Sequence, residues 1–245
     1  MKKNRNLVKL LNLNYLQYSN RTVSCGMMDL PALYCNTEIY PDYLALYSEK
    51  GLYHKTSRTA VCFHEFDTEF DGKHGLYWAI YYDDKKRLEY FKDRFRGVRF
   101  FLAPDYSELG DIHAIENNYR LFKSRIVSLW LMFELGAIVI PNISFPDKNS
   151  HAFALDGLES CSVVAISTKG HMDDVVENER LRDNIRFTVD TLQLKTIVVY
   201  DVCGTNDATL DTFSYAVKKG IRIIIPDNTL KCRNVQRLNR KADIA

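Results

Sequence analysis

Five short apolar runs constrain this chain more than any other feature: VRFFLAPDYS (98–107), AIVIPNIS (137–144), VVAISTKG (163–170), TIVVYDVCG (196–204) and RIIIPDN (222–228). Their cores are four-to-six-residue apolar stretches with β-branched residues and no polar alternation. That is the pattern of strands buried on both faces. Each run breaks abruptly into Asp, Asn, Ser, Thr or Gly, so polar groups gather at the carboxyl end of every strand. In α/β folds that edge is where sites are built. The runs point to where a site lies and leave its chemistry open.

Between the runs the chain alternates with helical patterns. The strand at 98–103 precedes a long helix over Ile112–Leu135, with Ile115, Tyr119, Phe122, Ile126, Leu129, Trp130 and Phe133 at helical spacing and Gly136 as its C-cap. Strands follow at 137–140, 163–167, 196–200 and 222–225, separated by a short helix around 150–158 and helices at Glu177–Leu194 and Asp207–Lys219. Upstream, the start of TAVCFHEFDTEF (59–70) reads as a strand, LYWAIYYDD (76–84) as another, Lys85–Phe95 as an amphipathic helix and Tyr43–Glu49 as a short helix. Such alternation with short connections predicts an α/β fold with a mainly parallel β/α architecture. About seven strand candidates favour an irregular or incomplete TIM-like barrel; the alternative is an open doubly wound sheet, although no GxGxxG follows the first strand. The expected organisation is a lead-in at 1–58, an α/β domain at 59–230 and a basic tail at 231–245.

A net charge of +2 on 245 residues gives no global field to recruit nucleic acid or an anionic membrane. Basic residues gather at the two ends, Lys2, Lys3, Arg5 and Lys9 at one and Lys231, Arg233, Arg237, Arg240 and Lys241 at the other. They read as solvated termini or as arms that touch phosphate. The six cysteines form no CxxC pair, which argues against structural zinc and for reduced thiols in a cytoplasmic protein. There is no signal-peptide pattern, and the longest apolar stretch is broken by Glu134 and Gly136, so no membrane span is expected. Oligomeric state is left open.

The strand ends supply the candidates. Asp105 and Ser107 follow Pro104, and Asp105 suits a general base, a metal ligand or a helix N-cap. Asn142 follows Pro141 and can present its amide to a ligand or make an Asx-turn; Asp227 after Pro226 reads as a turn. Ser167, Thr168 and Gly170, with Lys169 among them, can offer donors to phosphate or form an ordinary tight loop; the P-loop pattern is absent. Asp201 closes its strand ahead of Gly204. Asp83, Asp84 and the acidic run Glu65, Asp67, Glu69 and Asp71, with His64 and His74 nearby, can meet a divalent ion or form a solvated face. The cofactor is therefore unknown, with a divalent metal among the options. On the long helix, Arg120 and Arg125 with Asn117 and Asn118 can clamp an anion or make structural ion pairs. No HExxH or GxSxG motif occurs.

Residues 25–170 resemble a family of bacterial, plasmid and phage genomes catalogued as domain of unknown function 4417. The resemblance is carried by CGMMDLPAL (25–33), FLAPDYS (101–107), NNYRLFKSR (117–125), GAIVIPNISF (136–145) and VVAISTKG (163–170), and continues weakly into TIVVYD (196–201). Asn118 to Arg125 and Phe145 stand at the places of further family motifs, Phe145 where relatives often carry Trp. The resemblance implies a phage or mobile-element context and no activity. The residue types suggest an enzyme, a hydrolase or transferase, acting on a phosphate-bearing or nucleotide substrate. Asp105 and Asp201 would be catalytic, with Ser107, Asn118, Arg125, Asn142, Ser167, Thr168 and Gly170 binding. The alternative is a non-catalytic protein that holds nucleic acid or a host protein. The enzyme reading requires Asp105, Asn142, Ser167 or Thr168, and Asp201 to open into one shared cavity.

Overall fold

Burial on both faces is what four of the five apolar runs achieve; the last is exposed at Arg222 and half-buried at Ile223, Ile224 and Ile225. In the computed structural model, which describes residues 7–242, Phe100, Phe101 and Leu102 are shut away completely, as are Val163–Ala165 and Ile197–Val199. The strands are β1 (Tyr43–Leu46), β2 (Thr59–Cys62), β3 (Phe100–Leu102), β4 (Ile138–Ile140), β5 (Val163–Ser167), β6 (Thr196–Tyr200), β7 (Arg222–Ile224) and β8 (Asp227–Asn228). A short antiparallel ladder of Ser24–Cys25 with Leu30–Pro31 precedes them.

Every pairing from β1 onward is parallel, and from β1 to β4 and from β5 to β7 neighbours in the sheet are neighbours in the chain. β1 pairs with β2, β2 with β3, and β3 with β4. β5 pairs with β6 over five residues and β6 with β7 over three. Just past β4, Asn142 bridges Ala165 of β5, held by Ala165 N–H to Pro141 at 2.7 Å and Ile143 N–H to Ala165 at 2.9 Å. Asp227 and Asn228 of β8 pair with Tyr43 and Leu44 of β1. The strands run in the order β8-β1-β2-β3-β4 in one sheet and β5-β6-β7 in a second, joined at Asn142 and with no ladder between β7 and β8 among the described residues, and without the reversal of strand order that a doubly wound sheet carries. With all strands parallel, their carboxyl ends share one edge.

The helices are α1 (Leu76–Tyr81), α2 (Lys85–Arg94), α3 (Ala114–Leu135), α4 (Val175–Thr191), α5 (Asn206–Thr212), α6 (Ser214–Lys218) and α7 (Thr229–Ala242). Asp84 caps α2 by accepting from Arg87 N–H at 3.1 Å, and Asp174 caps α4 through Glu177 N–H at 3.0 Å. Gly136 ends α3 at φ +63°, a left-handed conformation that L side chains resist. No helix among the described residues is long and apolar enough to cross a membrane.

Several elements differ from the sequence expectation. The segment expected as a strand at 76–84 is helix α1: Leu76, Tyr77, Ala79 and Ile80 are buried, a helical rather than an alternating pattern. The helix expected at Tyr43–Glu49 is strand β1, because a slot between β2 and β8 outweighs the helix propensity of Leu44, Ala45 and Leu46. The single helix expected at Asp207–Lys219 breaks at fully buried Phe213 into α5 and α6. The short helix expected around 150–158 is a 3-10 turn at Lys148–Ala152 followed by turns. From residue 229 to 242 the expected basic tail is helix α7, while Lys2, Lys3 and Arg5 lie outside the described residues.

Candidate active site

Prolines stop the ladder at the ends of β3 and β4 and turn the chain outward. They place Asp105 and Asn142 side by side, and Asn142 Nδ2 donates to Asp105 Oδ1 at 2.7 Å. His64, two residues past β2, reaches the other carboxylate oxygen, with Nδ1 2.9 Å from Asp105 Oδ2. Three successive strand ends thus meet on one carboxylate. His64 is fully enclosed, its ring 4.4 Å from that of Tyr200, and its Nε2 is buried without a partner. The Asp105 side chain stays 27% exposed, so the carboxylate is the accessible member of the group.

These residues line a cavity of about 360 Å³. Ser107, Glu108, Ser167, Lys169, Gly170 and His171 add polar groups, and Ile143, Phe145, Leu181 and Ile185 form the apolar side. Lys169 Nζ donates to the His64 carbonyl at 2.7 Å, which ties the β5 loop to the β2 loop and holds an ammonium at the wall. Phe66 stands at the rim with 81% of its surface exposed. Glu108 differs from Asp105 in kind. Its Oε2 is buried without a partner, and burial pushes its carboxyl well above the usual carboxylate range. The Asp105 charge pushes the same way, opposed by Arg125 and Arg120.

The loop carrying Asp105 is braced from α3. Ser124 Oγ donates to the Pro104 carbonyl at 2.7 Å. Arg120 donates to Asp67 Oδ2 at 2.8 Å and to the Ser107 carbonyl at 2.7 Å, while Ser107 donates from N and Oγ to Asp67 Oδ1 at 2.9 Å each. Lys123 pairs with buried Asp71 at 2.7 Å. The acidic run is therefore spent on bracing: Asp67 and Asp71 take these bonds and Glu65 accepts from Ser48 N–H at 2.9 Å. Among the described residues no group of three His, Cys, Asp or Glu is placed to hold a metal ion.

The remaining candidates fall outside the cavity. Asp201 is completely buried and serves as a hub: Oδ1 accepts from Thr168 at 3.1 Å, Thr209 at 2.8 Å and Cys203 N–H at 3.1 Å, and Oδ2 lies 3.6 Å from Lys231 Nζ. Thr168 is equally buried, so the shared cavity required of Asp105, Asn142, Ser167 or Thr168, and Asp201 does not form as expected: it gathers Asp105, Asn142 and Ser167 and leaves Asp201 out, and an enzyme reading can rest only on the Asp105 side. Arg125 is buried and donates to the Asp156 carbonyl at 3.2 Å; burial lowers its guanidinium to about 10. Asn118 is buried with both amide atoms unpartnered and does not line the cavity.

Residues 23–214 match the family described as Domain of unknown function (DUF4417). The chain belongs to this family. The DUF4417 match spans β1 to β6 and so contains the whole cavity lining, while β7, β8 and α7 lie beyond it. The chain is also 28% identical over 108 residues to the Gene 1 protein of Mycobacterium phage L5, covering 44% of this chain and 47% of that protein. It thus spans about half the length of the curated relative it matches.

Within this DUF4417 chain, sequence reasoning missed Glu108 entirely and left His64, Phe66 and Lys169 without roles. His64 follows an apolar run that ends in Phe63, the same strand-end signal that marked Asp105. The acidic residues around it masked that signal.

Proposed function

We propose that this protein is an enzyme that acts on a phosphate-bearing substrate, a nucleotide, by hydrolysis or group transfer at the carboxyl edge of an irregular TIM-like β/α barrel. The observation that carries the reading is the Asp105 carboxylate, held at a cavity wall by His64 and Asn142 from the flanking strand ends. A carboxylate fixed by two donors and still open to the cavity suits proton abstraction from a water or hydroxyl that attacks phosphorus. Glu108, whose carboxyl burial raises well above the usual range, returns a proton to the leaving oxygen in this reading. A carboxylate open to the cavity and a carboxyl raised by burial supply the base and the acid of this reading. The Lys169 ammonium at the wall offers charge to the phosphoryl oxygens. Exposed Phe66 at the rim offers a face for a nucleobase. Ser107, Asn142, Ser167 and Gly170 line the same space as binding groups. Here His64 and Asn142 are positioning residues and Asp105 is the reacting one. A phage or mobile-element setting is supported by the likeness to the phage L5 protein, and a cytoplasmic one by six free cysteines.

The test is a panel of nucleotides and phosphate esters screened by thermal shift and by product release. The expected result is a ligand-dependent rise in Tm, with turnover that Asp105→Asn lowers by about 10²–10⁴-fold without loss of binding. Equal turnover by Asp105→Asn, or no shift with any phosphate compound, overturns the reading. A second reading, a non-catalytic protein holding nucleic acid, draws on the basic face of α7. It predicts binding without turnover in the wild type.

A further inference from the structure

A second cavity of about 420 Å³ opens on the same edge, between the β6 loop and α7. Gly170 lines both cavities. Of the loop after β5, Lys169 and His171 face the first, and Met172 and Asp173 the second. Gly170 sits at φ +84°, and a Cβ built on it meets nothing within 4 Å, so the junction is open.

The far wall of the second cavity is α7, and α7 is fixed there. Asn234 donates to the Val202 carbonyl at 2.7 Å, Lys231 to Asn206 at 2.7 Å, and Asn228 to the Asp201 carbonyl at 2.7 Å. A Cβ on Gly204 would fall 2.2 Å from Leu238, so the helix lies directly on that glycine. Arg237 lines the cavity. Arg233 and Arg240 stand one turn to either side on the same helix face, and all three are exposed. Among the described residues no ion pair joins any of them to a carboxylate. A row of exposed arginines, one of them at a cavity wall and none ion-paired among the described residues, is an electrostatic footprint for a phosphate backbone.

We propose that the substrate is a single-stranded nucleic acid rather than a free nucleotide. The reacting nucleotide sits in the Asp105 cavity, the strand passes over Gly170, and the adjoining phosphates lie along Arg233, Arg237 and Arg240. The inference rests on the nucleotide reading of the Asp105 cavity. Asp173, the carboxylate in the second cavity, opposes such a strand, which makes its removal informative.

The experiment measures binding of fluorescein-labelled twelve-residue oligo-dT and oligo-U to the full chain by anisotropy across a salt series, with unlabelled dTMP and UMP as competitors. The expected result is that at least one oligomer binds more tightly than its mononucleotide, with affinity falling as salt rises. Arg237→Gln then weakens oligomer binding several-fold, lowers the salt slope by about 0.7 and leaves mononucleotide binding unchanged. Asp173→Asn tightens it. Arg186→Gln, a change at an exposed arginine paired with Asp183 elsewhere, has no effect. The DNA and RNA arms show which backbone is preferred. If mononucleotides bind and oligomers bind no better, or if Arg237→Gln matches the wild type, the strand path is overturned and the nucleotide reading stands. If neither binds, both fall.

Discussion

At the scale of single residues, the site depends on two carboxyls kept in unlike surroundings. Asp105 accepts from Asn142 and His64, whereas Glu108 Oε2 is buried with no partner. A carboxyl raised by burial stays neutral into a range where ordinary ones are charged. As a proton donor it works below its own raised pKa, so kcat/KM falls as pH climbs through that value. The stability effect runs the same way. The folded state holds the Glu108 proton more tightly than the unfolded chain, so stability drops as pH rises from the ordinary carboxyl range, about 4.3, up to the raised value. Asp105, Arg120 and Arg125 are the charges that act on it. Glu108→Gln is expected to lose the alkaline limb of the rate profile and to flatten the fall in Tm over that window. Thermal melts across pH check the second effect even where turnover is slow. An unchanged pH dependence of Tm in the variant would show that Glu108 carries no shifted proton. The thiols play no such part: burial pushes Cys35 up to about 12 and Cys161 to about 11, leaving both inert.

At the scale of elements, Gly136 shows what a single position contributes. Its φ is +63° and a Cβ there meets nothing within 4 Å, so Gly136→Ala isolates the backbone cost. The expected loss is about 1–2 kcal/mol, read by urea unfolding, with Asp105-dependent turnover unaltered; no loss would mean that α3 ends equally well without the left-handed residue. This helix was legible from the chain alone, because a 22-residue amphipathic pattern closed by glycine has few other readings. All five apolar runs were legible as strands because each is short, apolar and ends in a turn signal; four are doubly buried, while Arg222 is exposed and Ile223 and Ile224 are half-buried. β1 and α1 were not. YLAL favours a helix locally and becomes a strand through its neighbours, while LYWAIYY is apolar throughout and carries no period to read. The same division holds at the site. Asp105, Ser107, Asn142, Ser167 and Gly170 were expected at strand ends and all line the cavity, Ser167 as the last residue of β5 and the others within five residues of a strand. Asp201 and Thr168 directly follow strands, yet they turn inward to each other and to Thr209. No local pattern distinguishes a strand-end aspartate that faces a cavity from one that binds its neighbours' hydroxyls.

At the scale of the whole molecule, the last of the parallel strands is also the shortest, and among the described residues it pairs with β1 alone. β8 contributes two residues, and the link back to β1 runs through Asp227 with Tyr43 and Asn228 with Leu44. So small a ladder needs side-chain help, and Asn228 supplies it. It is 1% exposed, its Nδ2 donates to the Asp201 carbonyl at 2.7 Å, and its Oδ1 accepts from Lys231 N–H at 2.9 Å. One amide thus joins β8 to the Asp201 hub and caps the first turn of α7. Removing it leaves a buried carbonyl and a helix N–H unpaired, each costing about 1–3 kcal/mol. Asn228→Ala is therefore expected to lose roughly 2–6 kcal/mol in total, the cap and the buried carbonyl acting together. Hydrogen exchange should locate the damage in residues 43–46 and 229–242, with the β3–β4 ladder still protected. Because α7 carries Arg237, the same variant should weaken oligonucleotide binding while mononucleotides still bind in the Asp105 cavity. Exchange that rises evenly over all strands would instead mean that the molecule opens as one unit, and that β8 is no separable element.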